Sequence, residues 1–497
     1  MLKGIVLHIV GKLSFILGGY IMQYFLMHSM PPEVYGLVGV ITMVINFNYL
    51  FLNNGMRQAI SNLIAKDRYN PKDVTGKGML FQGIIILMVF SVNFFGASWL
   101  ATMLRDTSLT PYIRSAAFII PFMGIYFAAL GVLNGFKLFV AEACIVTIYP
   151  LLKLVVIPFA MVMEDSIHAT EMSFLFAGVV ICVVSLLVLL KKNALFVSDK
   201  PKVPYSEYIK GAVGFSVVFS VASIVMSLDT GILKMLEVGD DVVGYYTAAV
   251  TIGKVPYYLL SAFFLVVLPV VTRYYVKNAM ERAAEVIRDL LTVILAMVLP
   301  VVVIISASSR ELLLAYCPDE SYSAASWALS FLLFGTFFLG LTLVFSMIIS
   351  AVNKKNFSTG LSLGMLVGYA VCCYAFSSFW GISGAGLASL TVCLITAVVA
   401  FLYMRKLFDG LVKKNHLVLV CVNGGLFVLT RLFFTFVSAP NLILVLFVYA
   451  MLYVGLLGGL VVTKTLSLRQ IAAMFKKDRE DIVQAQSPEQ KGGVNES

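Results

Sequence analysis

Residues 4–28 read GIVLHIVGKLSFILGGYIMQYFLMH, twenty-five residues with one lysine, Lys12, as their only Lys, Arg, Asp or Glu. As helix the run is about 37 Å long, enough to cross a hydrocarbon core of about 30 Å. It is too long for the apolar core of a secretory signal, carries a lysine inside it, and shows no small-residue cleavage site, so it is expected to be retained. Similar runs recur along the whole chain. They are continuous rather than alternating, which excludes an outer-membrane barrel. Of 497 residues, 60% are apolar and 12% charged, against about 45–50% and about 25% in a soluble domain. The expected fold class is therefore all-α, a polytopic membrane protein. About fourteen spans centre near residues 16, 45, 90, 124, 151, 179, 219, 257, 299, 337, 367, 394, 427 and 453. The soft boundaries around Ser308–Ala325 leave twelve or thirteen open.

Charge placement gives the orientation. Alternate gaps, together with both termini, hold 28 of the 36 basic residues, among them Arg57, Lys137, Lys200 and Lys277. The opposite gaps hold Arg105, Lys234 and Arg310, and carry acids instead: Glu164, Asp165, Glu237, Asp240, Asp241, Asp319 and Glu320. A bias of this kind places both termini in the cytoplasm of a plasma-membrane protein. The net charge of +10 is thereby a topology signal, and nucleic acid is not implied. Trp99, Trp327 and Trp380 fall at expected outer helix ends, as an interfacial belt would have them. Six of the seven cysteines lie within apolar runs, so no disulfide framework is implied.

The expected organisation is an N-terminal lobe over 1–190, a cytoplasmic linker over 191–210, a second lobe over 211–405, two further helices over 406–463, and a basic cytoplasmic tail over 464–497. Short matches suggest that the lobes are repeats. Glu33-Val-Tyr-Gly36 opens the second span and Asp241-Val-Val-Gly244 the eighth; Gly131-Val-Leu-Asn134 ends the fourth and Ser350-Ala-Val-Asn353 the tenth. Six helices per repeat would relate the lobes by an axis along the membrane normal.

No phosphate-cradling nucleotide loop is present, and the four histidines are scattered, none at metal-ligand spacing from another. No cofactor or metal is expected, and no outer loop is long enough to build a catalytic domain. What remains is polar side chains at lipid depth. Ser216, Ser220, Ser223, Ser227 and Thr230 share one helical face, as do Thr247, Thr251, Lys254, Tyr258 and Ser261, and Asn46, Tyr49, Asn53 and Arg57. Helix–helix packing accounts for such stripes where they are only small and hydroxylated. It does not account for cations, since an unpaired lysine at mid-membrane costs about 2.5–3.5 kcal/mol or more. Lys254 lies too deep to snorkel; Lys12 is within snorkelling reach. The reading is a water-filled cationic cavity lined by Lys12, Asn46, Asn53, Arg57, Ser220, Ser223, Lys254 and Tyr258, suited to a phosphate-bearing ligand. Asp229 is read as the one intramembrane acid, either an ion-coupling group or a helix-end residue, with Lys153 as a conceivable partner. Pro121, Pro150, Pro158, Pro256, Pro269 and Pro300 supply kinks.

Together these motifs resemble the polysaccharide-biosynthesis flippases of the multidrug/oligosaccharidyl-lipid/polysaccharide exporter superfamily. The likeness runs over about residues 1–405, through Pro32-Glu-Val-Tyr-Gly36, Asn54-Gly-Met-Arg-Gln-Ala-Ile60, Asp229, Val243-Gly-Tyr-Tyr-Thr-Ala-Ala249 and Gly381-Ile-Ser-Gly-Ala-Gly-Leu-Ala388. The resemblance implies two six-helix lobes working by alternating access. Its implied cargo is a polyprenyl-pyrophosphate-linked saccharide, turned from the inner to the outer leaflet. Two extra C-terminal helices resemble the lipid II flippase branch, and Lys12, Arg57 and Lys254 stand where that branch has important cavity cations. Two of these are lysines where the branch favours arginine, so O-antigen, capsule and other exopolysaccharide units stay open beside lipid II. Membrane lipids are implied partners, and a polysaccharide polymerase or glycosyltransferases could be others. The competing readings are a multidrug/cation antiporter of the same superfamily and, from the enzyme class, a polytopic glycosyltransferase or polysaccharide polymerase.

Overall fold

The computed structural model describes residues 2–191, 200–208, 216–352, 354–436 and 441–462. Every regular element among them is helical. The first bundle comprises α1 (Leu2–Ser29), α2 (Pro32–Asn54), α3 (Met56–Ala65), α4 (Pro71–Phe95), α5 (Ala97–Met103), α6 (Thr110–Ala116), α7 (Ile119–Gly135), α8 (Phe139–Lys153), α9 (Val156–Val162) and α10 (Ser166–Lys191). The second comprises α11 (Ser216–Met235), α12 (Asp240–Gly253), α13 (Val255–Val276), α14 (Met280–Val293), α15 (Leu299–Ala307), α16 (Ser309–Tyr316), α17 (Ser326–Ala351) and α18 (Lys355–Leu407). Last come α19 (Lys414–Thr435) and α20 (Leu442–Val462), which pack against α14–α16.

Among the described residues ten helices are long and apolar enough to cross a membrane, or eleven if the bent pair Thr107–Ala116 and Ile119–Gly135 is one span. The count of fourteen is not reached by that measure. One reason is visible in α18, which continues through Gly381 although its φ of +54° leaves the helical region. Only glycine adopts such a φ without strain, and two expected spans merge across it. Another is the break between α12 and α13 at Lys254, where Pro256 occupies the first turn of the next helix. Proline is tolerated there because that turn has no intrahelical use for its N–H. Pro300 likewise starts α15, after a π-helical stretch at Ile294–Val298. Two carbonyls of that stretch are met by the C-terminal helices: Asn423 donates to Leu295 O at 3.1 Å and Tyr453 to Met297 O at 3.2 Å.

The two bundles meet mainly where α2 packs on α12 and α11. The repeated motifs cross each other there. A Cβ on Gly36 would lie 2.1 Å from Asp240 O and 2.9 Å from Gly244 N; a Cβ on Gly244 would lie 2.1 Å from Pro32 O and 3.3 Å from Gly36 N. Each glycine admits the backbone of the other motif, a reciprocal contact of the kind a two-fold relation produces. One turn deeper, Gly39 sits under Thr247. The described part of the linker lies at the other end of the molecule, tied to α4: Val203 N and Lys77 Nζ both bond Asp73 Oδ2, and Lys200 pairs with Asp67 at 2.6 Å. That end is the linker face, and the end with the motif crossing is the opposite face. The expected basic tail at 464–497 lies outside the described residues.

Candidate functional site

Arg57 and Lys254, two cations of the central helices, both sit at helix breaks. Gly55 interrupts α2 and α3, and Arg57 is the second residue of α3. Lys254 caps α12 at its break with α13. Measured from the Gly36–Gly244 crossing, Lys254 is roughly 15 Å along its helix and Arg57 roughly 31 Å along its own. The cations therefore stand at two depths, Arg57 nearer the linker face.

Arg57 is paired. Arg57 Nη2 donates to Glu142 Oε1 at 2.8 Å, and Nη1 to Asn53 Oδ1 at 2.9 Å. Glu142, in the first turn of α8, is fully buried, while the Arg57 side chain keeps 25% of its exposure. Asn134 of α7 adds a longer bond to the same carboxylate oxygen, at 3.4 Å. Lys254 lines a small cavity inside the second bundle with Asp229, Thr336, Tyr369 and Ser389. Asp229 is 2% exposed and accepts from Tyr246 at 2.7 Å, from Tyr369 at 3.4 Å and from Thr230 N–H at 2.8 Å. A carboxylate so supplied with donors is stabilised in place.

Three sequence expectations need correction. Asp229 is not the sole acid at membrane depth: Glu142 and Glu171 are also buried within apolar spans, Glu171 accepting from Ser115. Asp229 does not pair with Lys153, whose ammonium lies over the rings of Phe174 at 3.9 Å and Tyr149 at 4.9 Å. Asp229 is also no helix-end residue in water.

The other expected residues separate. Asn53 joins Arg57, whereas Asn46 is exposed on α2. Ser220 accepts from Asn54 at 3.4 Å, bridging the bundles toward the linker face. Ser223 is exposed and bonds its own helix at Phe219 O. Tyr258 stacks edgewise near Tyr257. Thr247 and Thr251 of the Lys254 stripe face the first bundle instead, with Tyr20 donating to Thr251 O at 2.9 Å. The side chains of Lys12 and Ser216 lie outside the described residues. Sequence reading missed Glu142, Tyr246 and Tyr369. The signal for Glu142 was an acid in an otherwise apolar run, masked because an acid in a first helical turn is usual.

At the opposite face a charge cluster spans the bundles. Lys234 bonds Asp106 at 2.7 Å and also Asp240, and Arg105 faces Glu237 at 3.7 Å. Burial opposes ionisation of Asp106, but the bonds from Lys234 and Ser108 outweigh it and hold its carboxyl below the usual aspartate value.

Comparison with known proteins follows the same architecture. The lipid II flippase MurJ in an inward closed conformation superposes with a TM-score of 0.69 at 13% identity, covering 96% of this chain and 100% of that one. An inward-facing multidrug resistance MATE transporter of the MOP superfamily gives 0.61 at 17% identity, covering 81% and 98%. The Vibrio cholerae MATE transporter VcmN gives 0.61 at 14%, covering 82% and 95%. At these identities the likeness is one of fold. No curated protein matches the sequence significantly. Residues 30–320 match the family model described as polysaccharide biosynthesis protein, more than half of the chain. The chain is a polytopic α-helical membrane protein with the fold of these transporters, and it belongs to the polysaccharide biosynthesis protein family.

Proposed function

We propose that the protein is a flippase for a polyprenyl-pyrophosphate-linked saccharide, moving the headgroup from the linker face to the opposite face by alternating access. The linker face is cytoplasmic in this reading, as the basic residues of the alternate gaps require. The observation that carries it is the pair of cations at helix breaks, Arg57 and Lys254, set at two depths along the paired central helices. A diphosphate entering near Arg57 would find its next cation about 16 Å further on, at Lys254. Asp229 is then the counter-ion that keeps Lys254 in place until the anion arrives. Membership in a polysaccharide family supports a glycan cargo over a drug; the MATE likeness supports only the transport fold. With no nucleotide loop in the sequence, the energy source proposed is an ion gradient, the membrane potential or downhill removal of product.

Lys254 variants test the reading. Lys254→Ala is expected to reach the membrane at normal abundance and export little glycan. Lys254→Arg keeps part of the activity, and Lys254→Glu is the worst, since like charges then meet in low dielectric. The measurement is lipid-linked precursor retained inside, normalised to protein in the membrane. Full export by the alanine variant would overturn the role given to Lys254.

A further inference from the structure

Glu142 stands in an unusual relation to the cation it holds. Its carboxylate is fully buried, yet Oε1 takes both donors, Arg57 at 2.8 Å and Asn134 at 3.4 Å, and Oε2 accepts from no protein group. The contact to Arg57 is a single bond, not the two-pronged fork that makes arginine–carboxylate pairs strong. Arg57 spends its other terminal nitrogen on Asn53 and leaves a quarter of its side chain open. Its backbone cannot retreat: a Cβ on Gly131 of α7 would lie 2.6 Å from Arg57 O, so α7 and α3 are in direct backbone contact. The guanidinium is thus fixed at its root, loosely engaged at its tip, and still open to a second anion.

From this geometry we propose that Glu142 is a resident anion that holds Arg57 for the substrate diphosphate and gives it up in exchange. Glu142 is a positioning residue here: it aims the guanidinium and lowers its affinity for the headgroup, so that the anion is released onward to Lys254 and not trapped at the first cation. The proposal rests on the flippase reading, because it takes the diphosphate as the competitor. A purely structural ion pair would make the opposite demand, namely that the two charges never part. Buried pairs with one partner removed are strongly destabilised, whereas a pair built for exchange keeps one partner accessible, as Arg57 is.

The test uses the full-length protein in detergent, titrated with a polyprenyl pyrophosphate and, as control, the uncharged polyprenol. Glu142→Gln keeps the hydrogen-bonding shape and removes the competing charge. It is expected to bind the pyrophosphate about tenfold more tightly, the low end of what close charge pairs contribute, while flipping more slowly in proteoliposomes. The exchanged variant Arg57→Glu with Glu142→Arg retains a pair and checks folding. It is expected to be made at normal abundance but to flip poorly, because the cation is then on α8 and buried. Unchanged or weaker binding by Glu142→Gln, or full flipping by the exchanged variant, overturns the exchange role. If the parent protein binds pyrophosphate no better than polyprenol, the flippase reading itself fails, and this inference with it.

Discussion

Adding one methyl group at Gly36 should open the opposite face. In the structure the Cβ of Gly36→Ala would lie 2.1 Å from Asp240 O and 2.9 Å from Gly244 N, where ordinary contact begins at 3.4 Å. Both obstacles are backbone atoms, so no rotamer change relieves them. The helices α2 and α12 must part by about 1.3 Å at the crossing. Overpacking of this kind costs about 1–3 kcal/mol, and the penalty falls only on the state in which the crossing is closed. The closed population should therefore fall by a factor of about 5–150 relative to an open one. A cysteine at Thr251, just beneath the crossing and half-buried, reports it when the seven native cysteines are replaced. Labelling by a membrane-impermeant thiol reagent from the opposite face should rise in Gly36→Ala and in Gly244→Ala. Gly39→Ala should behave differently: its Cβ meets Thr247 side-chain atoms, Oγ1 at 2.3 Å and Cγ2 at 2.8 Å. Adding Thr247→Ala should then restore low labelling for Gly39→Ala but not for Gly36→Ala. Unchanged labelling in Gly36→Ala at normal abundance would refute the assignment of this crossing as a closed-state contact.

The charge cluster above the crossing should act in the same direction. Lys234 is 9% exposed and Asp106 19%, so Lys234→Ala should weaken closure by about 2 kcal/mol, between the values for surface and buried pairs; the same labelling assay reads it, and no increase would exclude the cluster from closure. Because the Asp106 carboxyl titrates below its usual value, its contribution is fully present above about pH 4 and is lost as pH falls through the lowered value. Labelling, normalised at each pH to that of a fully exposed cysteine because the thiolate is the reactive form, should thus stay flat from about pH 8 to pH 5 and rise only in stronger acid; a rise near neutrality would implicate another group. Tyr246→Phe removes the 2.7 Å bond to Asp229 and should lower thermal stability by about 1.5–3 kcal/mol, the worth of a hydrogen bond to a charge; an unchanged melting temperature would mean that the bond contributes nothing.

The spans were legible because the bilayer demands long apolar runs, and the paired glycines were visible as repeated motifs. What the motifs did was not legible. Glu33-Val-Tyr-Gly36 and Asp241-Val-Val-Gly244 read as two helix openings, and only the fold shows that each glycine exists for the other's backbone. Helical periodicity also overstated the stripes. It put Thr247, Thr251 and Lys254 on one face as a single cavity stripe, but the helix they share packs between the two bundles and its residues meet different neighbours. The Thr251 carbonyl accepts from Tyr20 of α1 while Lys254 lines the cavity with Asp229. Glu142 was hidden for a different reason: its partner is 85 residues away, and nothing local distinguishes it from an acid favouring a helix start.

The same pairing changes how a cationic cavity should be understood. Arg57 and Lys254, read alone, make two bare charges waiting for an anion, a state that is costly for Lys254 at mid-membrane. In the fold Arg57 is bonded to Glu142, and Lys254 shares its cavity with Asp229. The two acids offset the two cations along the central helices. An anion bound to either cation makes that site net negative unless the carboxylate yields, and the two carboxylates differ in how readily they can. Asp229 is held by two tyrosines and a backbone N–H, whereas Glu142 has Arg57, the distant amide of Asn134 and one oxygen with no protein donor. The weaker hold is at the linker-face cation and the firmer one deeper, the order expected if the headgroup is exchanged at Arg57 and then presented to a Lys254 that stays in position.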